Sequence, residues 1–131
     1  MKIAYLIIAH GSREQEANQA FSNFLAQFRK TFPDRLVQGA FLELTKPDIP
    51  EAIESCIRAG ATEIVLMPLM FFPGRHVKLD IPRFIEEAKA CHPAVDFHYT
   101  GAISNHPMMF ALLEDKAKHL LKDFPLQKAH S

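Results

Sequence analysis

The sequence predicts an α/β fold: a single three-layer sandwich with a four-stranded parallel sheet and helices on both faces. Three observations lead there. Four short segments rich in β-branched and aromatic residues alternate with four helical patterns, which is the signature of successive βαβ units. The strand segments are apolar almost without interruption, as strands covered on both faces must be. A length of 131 residues suffices for about one domain and one core.

The first strand is Ile3–Ala9, an apolar run far shorter than the roughly 20 residues a bilayer span needs. No small-x-small cleavage site precedes the charged stretch Arg13–Glu16, so the run is read as a strand rather than a secretion signal. A helix follows from about Arg13 to Thr31, with Ser12 read as its cap. Phe21, Phe24, Leu25, Phe28 and Phe32 recur there at spacings of three and four and form one apolar stripe. Such spacing places these phenylalanines in the core rather than against a flat cofactor.

The second strand, Leu36–Leu42, is the one expected to be partly exposed. The second helix follows Pro50 and ends at Gly60, which takes the left-handed position past the helix end. Its buried face is Ala52, Ile53, Cys56 and Ile57, so Cys56 serves as a small hydrophobe. The third strand is Thr62–Met67. The third helix starts near Ile81, tolerates Pro82 in its first turn, and runs through Phe84, Ile85 and Ala88 toward Cys91. Val95–Thr100 is the fourth strand. The fourth helix follows His106 and Pro107, with Phe110, Leu113, Ala117, Leu120 and Leu121 on or near its apolar face. One domain is expected over residues 1–124, and residues 125–131 carry no packing signal and read as a disordered tail.

Composition narrows the function classes. Hydrophobic residues make up 48% and charged residues 23%, an ordinary globular balance. Fifteen Lys and Arg against fifteen Asp and Glu leave no net charge, hence no global field to hold a nucleic acid or an anionic membrane, and neither is expected as a partner. Cys56 and Cys91 form no C-x-x-C motif, which argues against a disulfide framework or a Cys-rich zinc site and suits a cytoplasmic location.

In an open parallel sheet the loops leaving the carboxyl ends of the strands gather along one edge, where ligands bind. The loop after the first strand brings His10, Gly11, Ser12 and Arg13, and the loop after the second brings Glu43 to Pro47. The loop after the third brings Met70 to His76, and that after the fourth Gly101 to Pro107. Three histidines, His10, His76 and His106, thus share an edge with Glu43. Imidazole binds divalent transition metals and takes protons near neutral pH. Taken singly, each histidine is better read as a capping or solvated loop residue; their coincidence shifts the balance toward a site. His92, His98, His119 and His130 lie elsewhere and are read as structural or solvated.

Neither G-x-G-x-x-G nor G-x-x-x-x-G-K-[ST] occurs, so a nucleotide site is disfavoured. No G-x-S-x-G elbow surrounds Ser12 either. Arg13, Lys46, Arg75 and Lys78 concentrate positive charge in or just beyond the edge loops, which suits an anionic small ligand or, equally, a solvated rim. Beside them Met70-Phe71-Phe72-Pro73 is an apolar run suited to a flat hydrophobic ligand or a second subunit.

Several of these residues, taken in order, resemble a known family. Leu6-Ile7-Ile8-Ala9-His10-Gly11-Ser12-Arg13, then Phe41-Leu42-Glu43-Leu44 leading to Pro47-x-Ile49-Pro50-Glu51-Ala52-Ile53, then Pro73-Gly74-x-His76-x-x-x-Asp80-Ile81-Pro82 resemble the small CbiX/SirB-type class II chelatases over about residues 3–115. The resemblance implies a chelatase-like fold and insertion of a divalent metal into the tetrapyrrole sirohydrochlorin, in cobalamin or sirohaem synthesis. It places Co2+ first, with Fe2+ or Ni2+ as alternatives, the metal being substrate and no cofactor being permanently bound.

It also implies that His10 and His76 are the catalytic pair that binds the metal and accepts the pyrrole protons. Arg13, Lys46, Arg75 and Lys78 would meet the substrate carboxylates, with Phe71 and Phe72 beneath the ring and Glu43 completing the coordination, relaying protons or merely solvated. Arg75, beside His76, is bulkier than the family often shows. Asp80 is read as the N-cap of the third helix. Half-length members pair, so a homodimer is implied. The competing reading is a non-catalytic tetrapyrrole or metal carrier with the same pocket. A flavodoxin-like signalling or phosphate-binding module would want acidic residues or a Gly-rich turn after the first strand, and neither is there.

Overall fold

A computed structural model of the chain describes residues 2–122; the expected tail at 125–131 lies outside them. Strand β1 (Ile3–Ala9) leads to helix α1 (Gln15–Thr31), β2 (Leu36–Phe41), α2 (Ile49–Arg58) and β3 (Glu63–Pro68). A π-turn (His76–Asp80) then runs straight into α3 (Ile81–Cys91), followed by β4 (Asp96–Tyr99), a 3-10 turn (Ile103–Asn105) and α4 (Met108–Leu121). The sheet has the order β2-β1-β3-β4 and every pairing is parallel. The four-stranded parallel α/β fold expected from the alternation is therefore the fold observed.

Alternation along β1 divides the core in two, because successive strand side chains point to opposite faces. Ala4, Leu6 and Ile8 join Ile64, Leu66, Ile53, Cys56, Ile81 and Ile85 beneath α2 and α3. Ile7 and Val37 meet Phe21 and Leu25 of α1 on the other face. At Gly39 of β2 an added Cβ would lie 2.5 Å from a Leu25 methyl, so glycine lets α1 settle directly on the sheet. Cys56 is buried in the first cluster and burial raises its thiol pKa to about 11. That is the behaviour of a packed small side chain rather than a reactive one.

Several expectations need correction. Helix α1 begins at Gln15, with Glu14 rather than Ser12 at its N-cap; the Ser12 hydroxyl instead accepts from the Glu14 N–H at 2.9 Å, a turn just before the helix. Phe24 and Phe32 stay partly exposed, at 40% and 37%, on the rim of the stripe, although Phe32 meets the Tyr5 ring edge-on at 5.3 Å. The most exposed strand is β4, which buries no residue, whereas β2 is mostly covered. Helix α4 also buries none of its residues. Its apolar face is present in sequence but unpacked in the single chain.

Candidate functional site

The carboxyl ends of β1, β2 and β3 open on one edge, as a parallel sheet requires. His10 follows β1 directly, and Glu43 stands opposite it because the β1–β2 pairing continues past both strands. Leu42 N–H donates to Ala9 C=O at 2.9 Å and Glu43 N–H to His10 C=O at 3.1 Å. Gly11, at φ 100°, is what permits this approach: a Cβ there would sit 1.9 Å from the Glu43 carbonyl oxygen. The side chains follow the backbone, with His10 Nε2 lying 2.7 Å from Glu43 Oε1.

His76 arrives from the other side of β1, at the start of the π-turn. Its ring centre is 5.3 Å from that of His10, the planes inclined at 66°. Two imidazoles that share one ion at about 2.1 Å have ring centres roughly 5 Å apart, so the spacing is that of a pair able to hold a single metal. Both rings are about half exposed and open to solvent. Among the described residues no group of three or more His, Cys, Asp or Glu side chains is arranged to hold a metal by itself.

The remaining edge residues sort themselves by their partners. Arg13, Arg75 and Lys78 are exposed. Phe71 and Phe72 stand in water at 63% and 68% exposure, with Leu44 and Leu79 also exposed nearby in sequence to the site residues. Lys46 is drawn elsewhere. Its ammonium lies 3.3 Å from Glu51 and 3.7 Å from Asp48 at the start of α2, and the hydrogen bond to Glu51 is the main cause of its raised pKa. His106 is not brought into the pair's hydrogen bonding: its Nδ1 accepts from the Met108 N–H at 3.1 Å at the head of α4.

Sequence reasoning missed one participant. Asp80 is no cap, since it has helical angles and makes no capping hydrogen bond; its Oδ2 lies 2.7 Å from His76 Nδ1. The signal available was the i,i+4 spacing of His76 and Asp80, which puts two side chains on one helical face. Of the four histidines read as structural or solvated, His92 pairs with Glu54 at 2.6 Å and His98 with Glu63 at 3.1 Å, His119 is exposed on α4, and His130 lies outside the described residues.

The profile of the CbiX family matches residues 4–120. The chain belongs to the CbiX family. This CbiX chain is 30% identical over 116 residues to the chloroplastic sirohydrochlorin ferrochelatase of Arabidopsis thaliana, covering 88% of the chain and 52% of the relative. It is 33% identical over 112 residues to the sirohydrochlorin cobaltochelatase of Priestia megaterium, covering 85% and 36%. Among solved structures, the sirohydrochlorin chelatase SirB of Bacillus subtilis subspecies spizizenii, in complex with cobalt, superposes with a TM-score of 0.82 at 31% identity, over 92% of this chain and 51% of that one. The CbiX chain thus spans about half the length of the Arabidopsis and B. subtilis proteins. No helix among the described residues is long and apolar enough to cross a membrane.

Proposed function

We propose that this chain inserts a divalent metal into sirohydrochlorin, with Co2+ as first choice and Fe2+ or Ni2+ as alternatives. The observation that carries the reading is the His10–His76 pair at a spacing suited to one shared ion. The relatives supply the substrate: those named above are ferrochelatases or cobaltochelatases of sirohydrochlorin. The reaction forms four metal–nitrogen bonds and releases two pyrrole protons. It therefore needs a loosely held metal presented to the macrocycle and bases to take the protons.

Two imidazoles meet both needs, and Glu43 beside His10 passes one proton outward. Arg13, Arg75 and Lys78 bind substrate carboxylates by charge-assisted hydrogen bonds, while Phe71 and Phe72 cover an apolar face of the ring. Lys46, held by Glu51, serves the substrate less directly. The metal is substrate and leaves with the product. The same reading takes a cytoplasmic protein that works as a homodimer, its second copy supplying what the other half of the longer relatives supplies.

The test is turnover. Purified protein with sirohydrochlorin and Co2+, Fe2+ or Ni2+ is expected to shift the macrocycle absorption faster than the spontaneous reaction. His10→Ala and His76→Ala are each expected to lose about 100-fold or more of that acceleration, the usual scale for a lost acid–base group, with circular dichroism unchanged. Full activity in either variant defeats the assignment. Tight sirohydrochlorin binding without acceleration in the unsubstituted protein would make it a carrier.

A further inference from the structure

The segment that carries His76 is wider than an ordinary helical start. Residues His76–Asp80 form a π-turn, closed by the Ile81 N–H donating to the His76 carbonyl, and α3 continues from it. Pro82 helps to enforce the width. It has no N–H, and a proline ring in a helix clashes with the carbonyl four residues back, here that of Lys78. In the five-residue register the missing N–H would have served the carbonyl of Val77. That carbonyl is met from β4 instead, where the Tyr99 hydroxyl donates to it at 2.9 Å. Burial raises the Tyr99 pKa to about 12, so the donor keeps its proton through the working range.

Within this pinned turn His76 Nδ1 lies 2.7 Å from Asp80 Oδ2. A carboxylate only accepts, so Nδ1 carries a proton, and in the neutral ring Nε2 is then left with the lone pair. A histidine ring nitrogen becomes a usable ligand or base when the opposite nitrogen is fixed by such a partner.

We propose that Asp80 is the positioning residue of the site: in the turn set by Pro82 and Tyr99 it locks His76 as the Nδ1–H tautomer and presents Nε2 to the incoming metal. Asp80 touches neither metal nor macrocycle in this scheme and acts through His76. The role for the metal rests on the chelatase reading; the tautomer does not.

The experiment is nitrogen-15 NMR of the histidine-labelled, metal-free chain at about pH 8, followed by Co2+ titration. The unsubstituted protein is expected to show His76 protonated at Nδ1. Asp80→Ala is expected to lose that preference and weaken Co2+ binding by about 10- to 100-fold, the usual cost of removing such a partner. Asp80→Asn, whose amide oxygen still accepts from Nδ1–H, is expected to restore the tautomer and most of the affinity. A His76 protonated at Nε2 in the unsubstituted protein overturns the inference, as does an Asp80→Ala variant with unchanged tautomer. If Asp80→Ala does not fold, the spectra of the unsubstituted protein and of Asp80→Asn still decide. A wrong tautomer in an active chelatase defeats this inference alone; the expected tautomer in a protein without turnover defeats the proposed function alone.

Discussion

Gly11 shows how little tolerance the site has at the level of single atoms. Its φ of 100° is one most side chains avoid, and the Glu43 carbonyl occupies the place of a Cβ. Gly11→Ala is expected to cost about 1–3 kcal/mol in urea unfolding, the range for strained backbone, and to separate His10 from Glu43. Gly74→Ala is the control, with nothing within 4 Å of the added methyl, and is expected to stay within about 0.5 kcal/mol of the parent. Equal midpoints for the two variants would refute the close-approach argument. Strand polarity assigns His10, Glu43 and His76 to one edge in sequence, but it assigns His106 there too, and the resemblance was what singled out the pair. Asp80 was not legible, because Asp-Ile-Pro reads as a cap followed by a first-turn proline, and only coordinates reveal that the helix has already begun.

Among the elements, α2 begins at Ile49, with Asp48 as its cap, rather than after Pro50 where the sequence reading started it. Asp48 accepts from the Glu51 N–H at 2.9 Å and Glu51 returns the bond to the Asp48 N–H at 2.9 Å, a reciprocal box that satisfies two otherwise free donors. Asp48→Ala is expected to lower stability by about 1 kcal/mol, read from the thermal midpoint, while leaving the His10–His76 spacing in place; an unchanged midpoint would show that the box contributes nothing. The same box explains Lys46, whose charge is absorbed by two carboxylates that belong to the helix start rather than to the ligand edge. Sequence proximity to the edge could not reveal that competition. The π-turn is hidden for a related reason. A pattern of apolar residues with a period of 3.6 carries no mark of one widened turn, although the proline and the His-Asp spacing that stabilise it are both in view.

For the molecule as a whole, periodicity tells which face of a helix is apolar and not whether anything covers it. Helices α1 and α2 find the sheet, but α4 leaves Met108, Phe110, Leu112, Leu113, Leu120 and Leu121 exposed. Burying a side chain of this size contributes about 1.5–3 kcal/mol, and a helix of α4's length is marginal in water without a surface to pack on. Strand β4 is half uncovered as well, with Asp96 and His98 exposed along it. The homodimer proposed above would cover both, and in a twofold pair whatever α4 gave to its partner it would receive in return. Phe110, at 73% exposure, makes the cleanest probe, because a charge placed there disturbs no packing within one chain. Sedimentation is expected to show two copies for the parent and one for Phe110→Glu, with the far-ultraviolet circular dichroism of the two alike. Activity per chain should fall on dilution of the parent if the paired form is the working one. A parent that sediments as a single copy at assay concentrations while turning over sirohydrochlorin at full rate would show that one open edge suffices.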